Sequence, residues 1–315
     1  MSVGTPSPLT TASGAERPGG GGRIAGHTVS RVGYGAMQLE RLHGDRAAAV
    51  ALLRRAVELG IDHVDTAEFY GNGLVNGLLR EALRPEDGVT VVSKVGATPN
   101  PGGRIPLRPA QRPEELRAGV EDNLRSLGLD RIPVVNLRRL DTGPGLRAEG
   151  DQVVDLDDQL AVMTALRDEG KIGAIGLSSV TIDGLRRALP AGIVCVQNAY
   201  SLVARGDEDM LALCAAEDIA WVPYFPLGGS FPGLPKVADE PAVQAAAQSL
   251  GRTTAQVGLA WLLRHDPRVL LIPGTADPDH LEANVAAGAL ALSLDPTLLA
   301  ELDAVPSRSA DVPIG

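Results

Sequence analysis

VDTAEFYG (Val64 to Gly71) decides the fold when it is set beside three similar fragments: VVSKVG (Val91 to Gly96), VVNLRRLD (Val134 to Asp141) and IGLSS (Ile175 to Ser179). Each is a short β-branched run that ends on a polar or ionisable residue. Such a run reads as a buried strand that delivers its last side chain to a pocket. Strand-like runs at 33–37, 61–65, 89–94, 134–137, 173–177, 193–197, 220–224 and 269–272 give eight in all. Helical patterns alternate with them, at 46–59, 113–127, 156–168, 207–217, 240–250, 253–265 and 278–287. The first stops at Gly60. The second opens on Pro113 with Glu114 and Glu115 in its first turn and stops at Gly128.

Alternation of this kind implies parallel pairing through right-handed crossovers. An eightfold (β/α)8 barrel takes about 250 residues, which this chain can supply. The competing architecture is an open doubly wound sheet with a G-x-G-x-x-G phosphate turn after its first strand, and VGYGAMQL (Val32 to Leu39) does not give that pattern. The expected fold is therefore α/β, a parallel (β/α)8 TIM barrel formed by residues 23–315 as one catalytic domain. RIAGHTVSRV (Arg23 to Val32) reads as a β-hairpin at the barrel bottom, with Ala25 and Gly26 at its turn. Residues 1–22, rich in Gly, Pro, Ser and Thr, read as a disordered tail.

Composition narrows the function. The chain has 315 residues, is 44% hydrophobic and carries a net charge of −10. No apolar run approaches the roughly 20 residues of a membrane span, and the start has no apolar signal core. The acidic balance, without a basic cluster, disfavours nucleic acid as a partner. Cys195 and Cys214 are too few for a disulfide framework, and the five histidines show no ligand spacing. No coiled coil or apolar surface helix forces assembly. These features describe a reduced, cytoplasmic enzyme, a monomer or weak oligomer, acting on a small molecule without metal, nucleic acid or membrane.

In a barrel, the C-terminal strand ends converge on one face. Asp65, Lys94 and Arg138 end three of the runs, and Tyr70 lies in the loop past Asp65. Neighbouring strands lie about 4.8 Å apart, so the Lys94 side chain can reach the preceding strand. A cation about 4 Å from a phenol oxygen favours negative charge there by up to roughly 4 kcal/mol at an effective dielectric of 20. Asp65 would hold the ammonium, and Arg138 would add a cation that stays charged. This set suits a carbonyl oxygen becoming an alkoxide, with Tyr70 as proton donor. The same residues could equally be a buried ion pair with a tyrosine filling the barrel mouth. His63 is in register with Asp65 and reads as a buried, satisfied histidine; Trp221 and Trp261 read as core. Aromatics are only 3% of the chain, yet Tyr34, Phe69, Tyr70, Tyr200, Tyr224, Phe225 and Phe231 all fall at or just past strand ends. That placement suggests either a pocket for a flat ring or a plugged mouth.

VDTAEFYGNG together with the strand-end Lys94 resembles the signature of the aldo-keto reductase family, over about Arg23 to Ala304. The resemblance implies a barrel enzyme moving hydride between a nicotinamide and a carbonyl, with Asp65, Tyr70 and Lys94 at catalytic positions. Arg138 stands where the family usually has histidine. The resemblance further implies that Ser178 and Gln197 hold the nicotinamide carboxamide, with Ser179 in place of an asparagine, and that Tyr224 stacks on the ring. Leu227, Gly228 and Gly229 would approach the pyrophosphate. Gly274, Thr275, His280 and Asn284 would face the adenosine phosphate, with Gly274 and His280 replacing basic clamps and free N–H groups offered by a helix starting near Pro278. NADP is the expected cofactor, with NAD open. Within the family, VGYGAMQL, FYGNG, VVNLR, CVQNAYS, FPLGG and LIPGT are most similar to bacterial pyridoxal reductases. A reductase for other aldehydes or ketones, and a nicotinamide-binding regulatory subunit with little turnover, are the alternatives.

Overall fold

A computed structural model describes residues 9–12, 14–103, 106–229 and 233–308. Residues 1–8 and 13 of the expected tail, and Phe231, lie outside these residues. The described chain opens with an antiparallel hairpin of β1 (Gly21–Ile24) and β2 (His27–Ser30). Ala25 and Gly26 both have positive φ, 50° and 80°, as a two-residue type I′ turn requires. Then follow β3 (Tyr34–Gly35), α1 (Arg46–Glu58), β4 (His63–Asp65), α2 (Leu74–Ala82), β5 (Thr90–Val95) and a second hairpin, β6 (Ala97–Pro99) with β7 (Leu107–Pro109). The pattern continues with α3 (Pro113–Leu127), β8 (Ile132–Arg138), α4 (Leu156–Asp168), β9 (Ile172–Ser178), α5 (Ile182–Ala188) and β10 (Ile193–Gln197). It ends with α6 (Glu208–Ala216), β11 (Ala220–Trp221), α7 (Pro241–Leu250), α8 (Thr254–His265), α9 (Pro278–Ser293) and α10 (Pro296–Asp303).

Seven strands form one parallel sheet in the order β11-β10-β9-β8-β5-β4-β3. The eighth member is residues 269–271, reduced to single parallel bridges: Trp221 to Val269 on one side and Val32 to Leu271 on the other. Hydrogen bonds from Leu270 N to Trp221 O and from Gly33 N to Leu271 O close the circle. Prolines trim both neighbouring runs. Pro223 and Pro273 lack the N–H that would extend the ladder, so the strands expected at 220–224 and 269–272 shorten. The run expected at 33–37 keeps only Tyr34 and Gly35 as strand before the chain winds into a 3-10 turn, Ala36–Leu42.

Strand alternation sorts the core into two parts. Outward residues such as Val91, Val135, Leu137, Ile175, Leu177, Val196 and Trp221 pack under the helices. Inward residues Val92, Val134, Ala174, Cys195, Ala220, Val222 and Leu270 fill the barrel, and Ile24 and Val29 of the hairpin plug it from below. The sequence patterns miss α2, α5, α10 and the β6–β7 hairpin. Gly77 interrupts α2, α5 runs only seven residues, and the β6–β7 strands have three residues each.

Residues 14–22, expected in the tail, are ordered and pack beneath the barrel. Arg17 Nε meets Asp62 Oδ2 at 2.7 Å, with the side chains 7% and 4% exposed. Asp62 Oδ1 also accepts from Ser30 N at 2.6 Å. Gly60, at φ +87°, lies so close that a Cβ there would sit 2.1 Å from Glu16 O. Breaking a buried pair strands a charge, at a cost of about 3–5 kcal/mol. Asp62→Ala should therefore lower unfolding free energy by roughly 3 kcal/mol in urea titration. A change under about 0.5 kcal/mol would mean that this segment is not docked in solution.

Candidate active site

The barrel interior changes character toward its C-terminal rim. Register aligns Asp65 with Val92, Val92 with Val134 and Val134 with Ala174. One pleat higher, Lys94 aligns with Asn136 and Asn136 with Gly176. Above that, Arg138, Ser178 and Gln197 share a row across β8, β9 and β10. An apolar layer thus gives way to a buried polar one.

Lys94 Nζ forms a salt bridge with Asp65 Oδ1 and donates to Thr66 O at 3.1 Å. It also lies 5.2 Å from the centroid of the half-buried Tyr70 ring. Lys94 is 7% exposed and Asp65 3%. Burial acts to lower the Lys94 pKa, but the Asp65 charge and the Tyr70 oxygen outweigh it, so the ammonium is held above its ordinary range. A network behind the strand ends fixes this geometry. Thr66 Oγ1 donates to Asn76 Oδ1 (2.8 Å), and Asn76 Nδ2 donates to Asn123 Oδ1 (3.0 Å). Ser93 Oγ also donates to Asn123 Oδ1 (2.6 Å), and Asn123 Nδ2 reaches Lys94 O (3.3 Å).

Tyr70 comes from a tight loop in which Gly71, Asn72 and Gly73 all have positive φ. Its ring stands edge-on to Phe69, 5.2 Å between centroids and 84° between planes. Phe69, Ala67 and Ala97 form a small apolar wall, with Leu107 and Leu146 against it. Among the described residues, the half-buried Arg138 side chain makes no hydrogen bond or ion pair. Its neighbour Arg139 is engaged, with Asp141 (3.1 Å) and Val154 O (3.0 Å).

Gln197 takes an unexpected partner: its Nε2 donates to Asp65 Oδ2 at 2.7 Å across the barrel. Its Oε1 is buried and unpartnered. One further interior group escaped the sequence reading. Asn136 accepts from Cys195 Sγ at 3.1 Å, while its Nδ2 has no partner. Gly176 makes room for both, since a Cβ there would lie 1.9 Å from Asn136 Oδ1. A lone asparagine at an inward position of VVNLR is the signal that could have found it. His63 is fully buried and neutral, its pKa lowered by burial against the opposing Asp65 and Asp62 charges. It is less satisfied than expected: Nδ1 lies 3.4 Å from Ser30 O and Nε2 has no partner.

The other expected cofactor residues have their own local partners. Ser179, at φ 52°, contacts the Tyr224 hydroxyl through Oγ at 3.2 Å. Gly228 and Gly229 line a cleft with Ala199, Ser201 and Leu234, while Leu227 before them packs against the hydrophobic core. Gly274 is demanded by backbone packing, as a Cβ there would meet Gly35 O at 2.5 Å. Thr275 Oγ1 accepts from Asp277 N at 3.0 Å. Among the described residues, Asn284 makes no side-chain hydrogen bond. The N–H groups expected free at the start of α9 are not free. Asp277 caps the helix and accepts from Asp279 N (2.8 Å) and His280 N (3.1 Å). The His280 and Asp279 N–H bonds hold its carboxyl below the usual range, so a negative charge sits where a phosphate was expected.

Residues 31–305 match the Aldo/keto reductase family, and the chain belongs to it. It is an oxidoreductase acting on carbonyl or alcohol groups. It is 43% identical over 286 residues to pyridoxine 4-dehydrogenase of Escherichia coli (strain K12), covering 88% of this chain and 95% of that one. An uncharacterized oxidoreductase of Schizosaccharomyces pombe is 35% identical over 292 residues, 89% of this chain and 88% of its own. A crystal structure of an aldo-keto reductase from Klebsiella pneumoniae in complex with NADPH superposes with a TM-score of 0.75 at 27% identity, covering 91% of this chain and 95% of that one. A second Klebsiella structure, with NADP and acetate, gives 0.74 at 27% identity over 93% and 99% of the two chains.

Because Lys94 binds its proton more tightly folded than unfolded, the pair stabilises fully below the unfolded lysine value of 10.5. That contribution is lost as pH rises through the higher folded value. The stability difference between wild type and Asp65→Asn/Lys94→Met, measured by urea titration, should be flat from about pH 6 to 9 and shift above about pH 10.5. A shift centred near neutrality would contradict the assignment of charge.

Proposed function

We propose that this chain is an NADPH-dependent carbonyl reductase that converts pyridoxal to pyridoxine, with Tyr70 as proton donor. One observation carries the reading: a buried, charged Lys94–Asp65 pair beside Tyr70 at the barrel rim, below an unpaired Arg138. The likeness to the E. coli pyridoxine 4-dehydrogenase supports the substrate. The NADPH and NADP bound in the Klebsiella structures support the cofactor.

The unpartnered Gln197 Oε1 fits a nicotinamide, because a carboxamide N–H would satisfy it. Ser178 and Gln197 would hold that carboxamide, with Ser179 beside them and Tyr224 against the ring. Leu227, Gly228 and Gly229 would take the pyrophosphate. Gly274, Thr275, His280 and Asn284 would take the adenosine end. When bound, the cofactor supplies a hydride to the carbonyl carbon. Arg138 holds the carbonyl oxygen, and the Tyr70 hydroxyl gives that oxygen its proton. The Lys94 ammonium offsets the negative charge left on Tyr70, and Asp65 keeps Lys94 in place and charged. Buried, unbridged Cys195 and Cys214 suit a reducing cytoplasm. Scattered exposed apolar residues, such as Val153 and Leu292, suit a monomer or weak oligomer.

Tyr70→Phe should cut kcat for pyridoxal reduction by about 10²–10⁴-fold and leave NADPH affinity within a few-fold, as fluorescence titration would report. Undiminished kcat would remove Tyr70 from the chemistry. Comparing kcat/KM for pyridoxal with benzaldehyde tests the substrate, since equal values would indicate a general aldehyde reductase. Asp277→Thr keeps the helix cap and removes its charge. It should lower the KM for NADPH several-fold while changing that for NADH less. Equal changes for both would place the phosphate elsewhere.

A further inference from the structure

The guanidinium of Arg138 offers more donors than the proposed reaction uses. Lys94 and Asp65 neutralise each other. His63, buried below them, is neutral. Arg139 is matched by Asp141. Arg138 is left as a fixed cation, half-buried, with no acceptor among the described residues. A neutral carbonyl oxygen needs only one of the donor groups on a guanidinium fork. The phosphate end of a dinucleotide in a barrel belongs to the loops after the seventh and eighth strands, whereas Arg138 ends the fourth.

The surroundings narrow what the spare donors meet. Arg138 follows Asn136 by one pleat and shares its inward face, in register with Ser178. On the side of Tyr70, the wall of Phe69, Ala97, Leu107 and Leu146 is apolar and suits a flat ring. A partly desolvated guanidinium binds an anionic oxygen far better than a neutral one, and its planar fork spans two oxygens side by side.

We propose that Arg138 is a specificity-determining residue that selects aromatic aldehydes carrying an ionisable hydroxyl ortho to the carbonyl. One N–H of the fork holds the carbonyl oxygen and another holds the neighbouring phenolate oxygen. The inference rests on the reductase reading and names its substrate class. Pyridoxal belongs to this class, since its hydroxyl is adjacent to its aldehyde. The ring of such a substrate lies on the apolar wall, and the ortho oxygen fixes the direction in which the carbonyl oxygen points to Tyr70.

The test compares kcat/KM, with saturating NADPH, for 2-hydroxybenzaldehyde, 2-methoxybenzaldehyde and 4-hydroxybenzaldehyde. Wild type should favour the 2-hydroxy compound over both others by on the order of 30-fold, the worth of a hydrogen bond between charged groups. Arg138→Gln should bring the three values within about threefold of one another, whatever its overall rate. Arg138→Lys keeps the charge without the fork and should retain only part of the preference. Equal values in wild type would overturn the proposal, and so would a preference that survives in Arg138→Gln. Pyridoxal is run alongside as the control: failure of wild type to reduce pyridoxal would defeat the proposed substrate and take this inference with it, whereas reduction of pyridoxal without a preference for the 2-hydroxy compound overturns this inference alone.

Discussion

A lysine ammonium buried inside a barrel is tolerated only with a carboxylate against it, and the Lys94–Asp65 pair organises this rim. Unpaired, either charge would carry a desolvation cost of several kcal/mol. The pair must be held from two directions, and the structure supplies both. From outside the sheet, Asn76, Asn123, Ser93 and Thr66 tie the ends of β4 and β5 to α2 and α3. From across the barrel, Gln197 takes the second oxygen of Asp65. Tyr70 is then placed by a loop whose glycines accept conformations other residues resist.

The fold and the site share one device, the two-residue period of a strand. Outward positions of β5, β8 and β9 supply the packing under the helices, and inward positions supply first apolar filling and then polar groups. Where an inward side chain needs space, a neighbouring strand gives glycine. Gly176 clears room for Asn136 and Cys195, and Gly33 clears room for His63. The bottom of the barrel has its own buried pair, Arg17 with Asp62, so the two ends are braced by similar means for different purposes.

Much of this was legible in the amino-acid sequence because parallel strands buried on both faces read as β-branched runs. Asp65, Lys94 and Arg138 announced themselves as charges at the ends of such runs. What stayed hidden depends on distance or on competition. The Gln197–Asp65 bond joins residues 132 apart, and no local pattern encodes it. Asn136 hid inside an apolar run because a single polar residue there reads as tolerance rather than purpose. The start of α9 looked like a phosphate site because its N–H groups were counted without their nearest acceptor. Asp-Pro-Asp is a helix-cap signature, and Asp277 claims those donors first. The ordered segment 14–22 was obscured by its glycines and prolines, since composition cannot show that Arg17 finds a buried partner.

On the proposed reading, the Lys94–Asp65 pair acts on chemistry rather than on binding. The most direct measurement is single-turnover reduction of pyridoxal by Asp65→Asn/Lys94→Met, whose near-isosteric neutral side chains avoid a stranded charge. NADPH binding would be followed in parallel by fluorescence. The expected result is a hydride-transfer rate lower by at least about 10²-fold with NADPH dissociation constants within about threefold of wild type. A transfer rate equal to wild type, or a loss explained wholly by weaker NADPH binding, would contradict it.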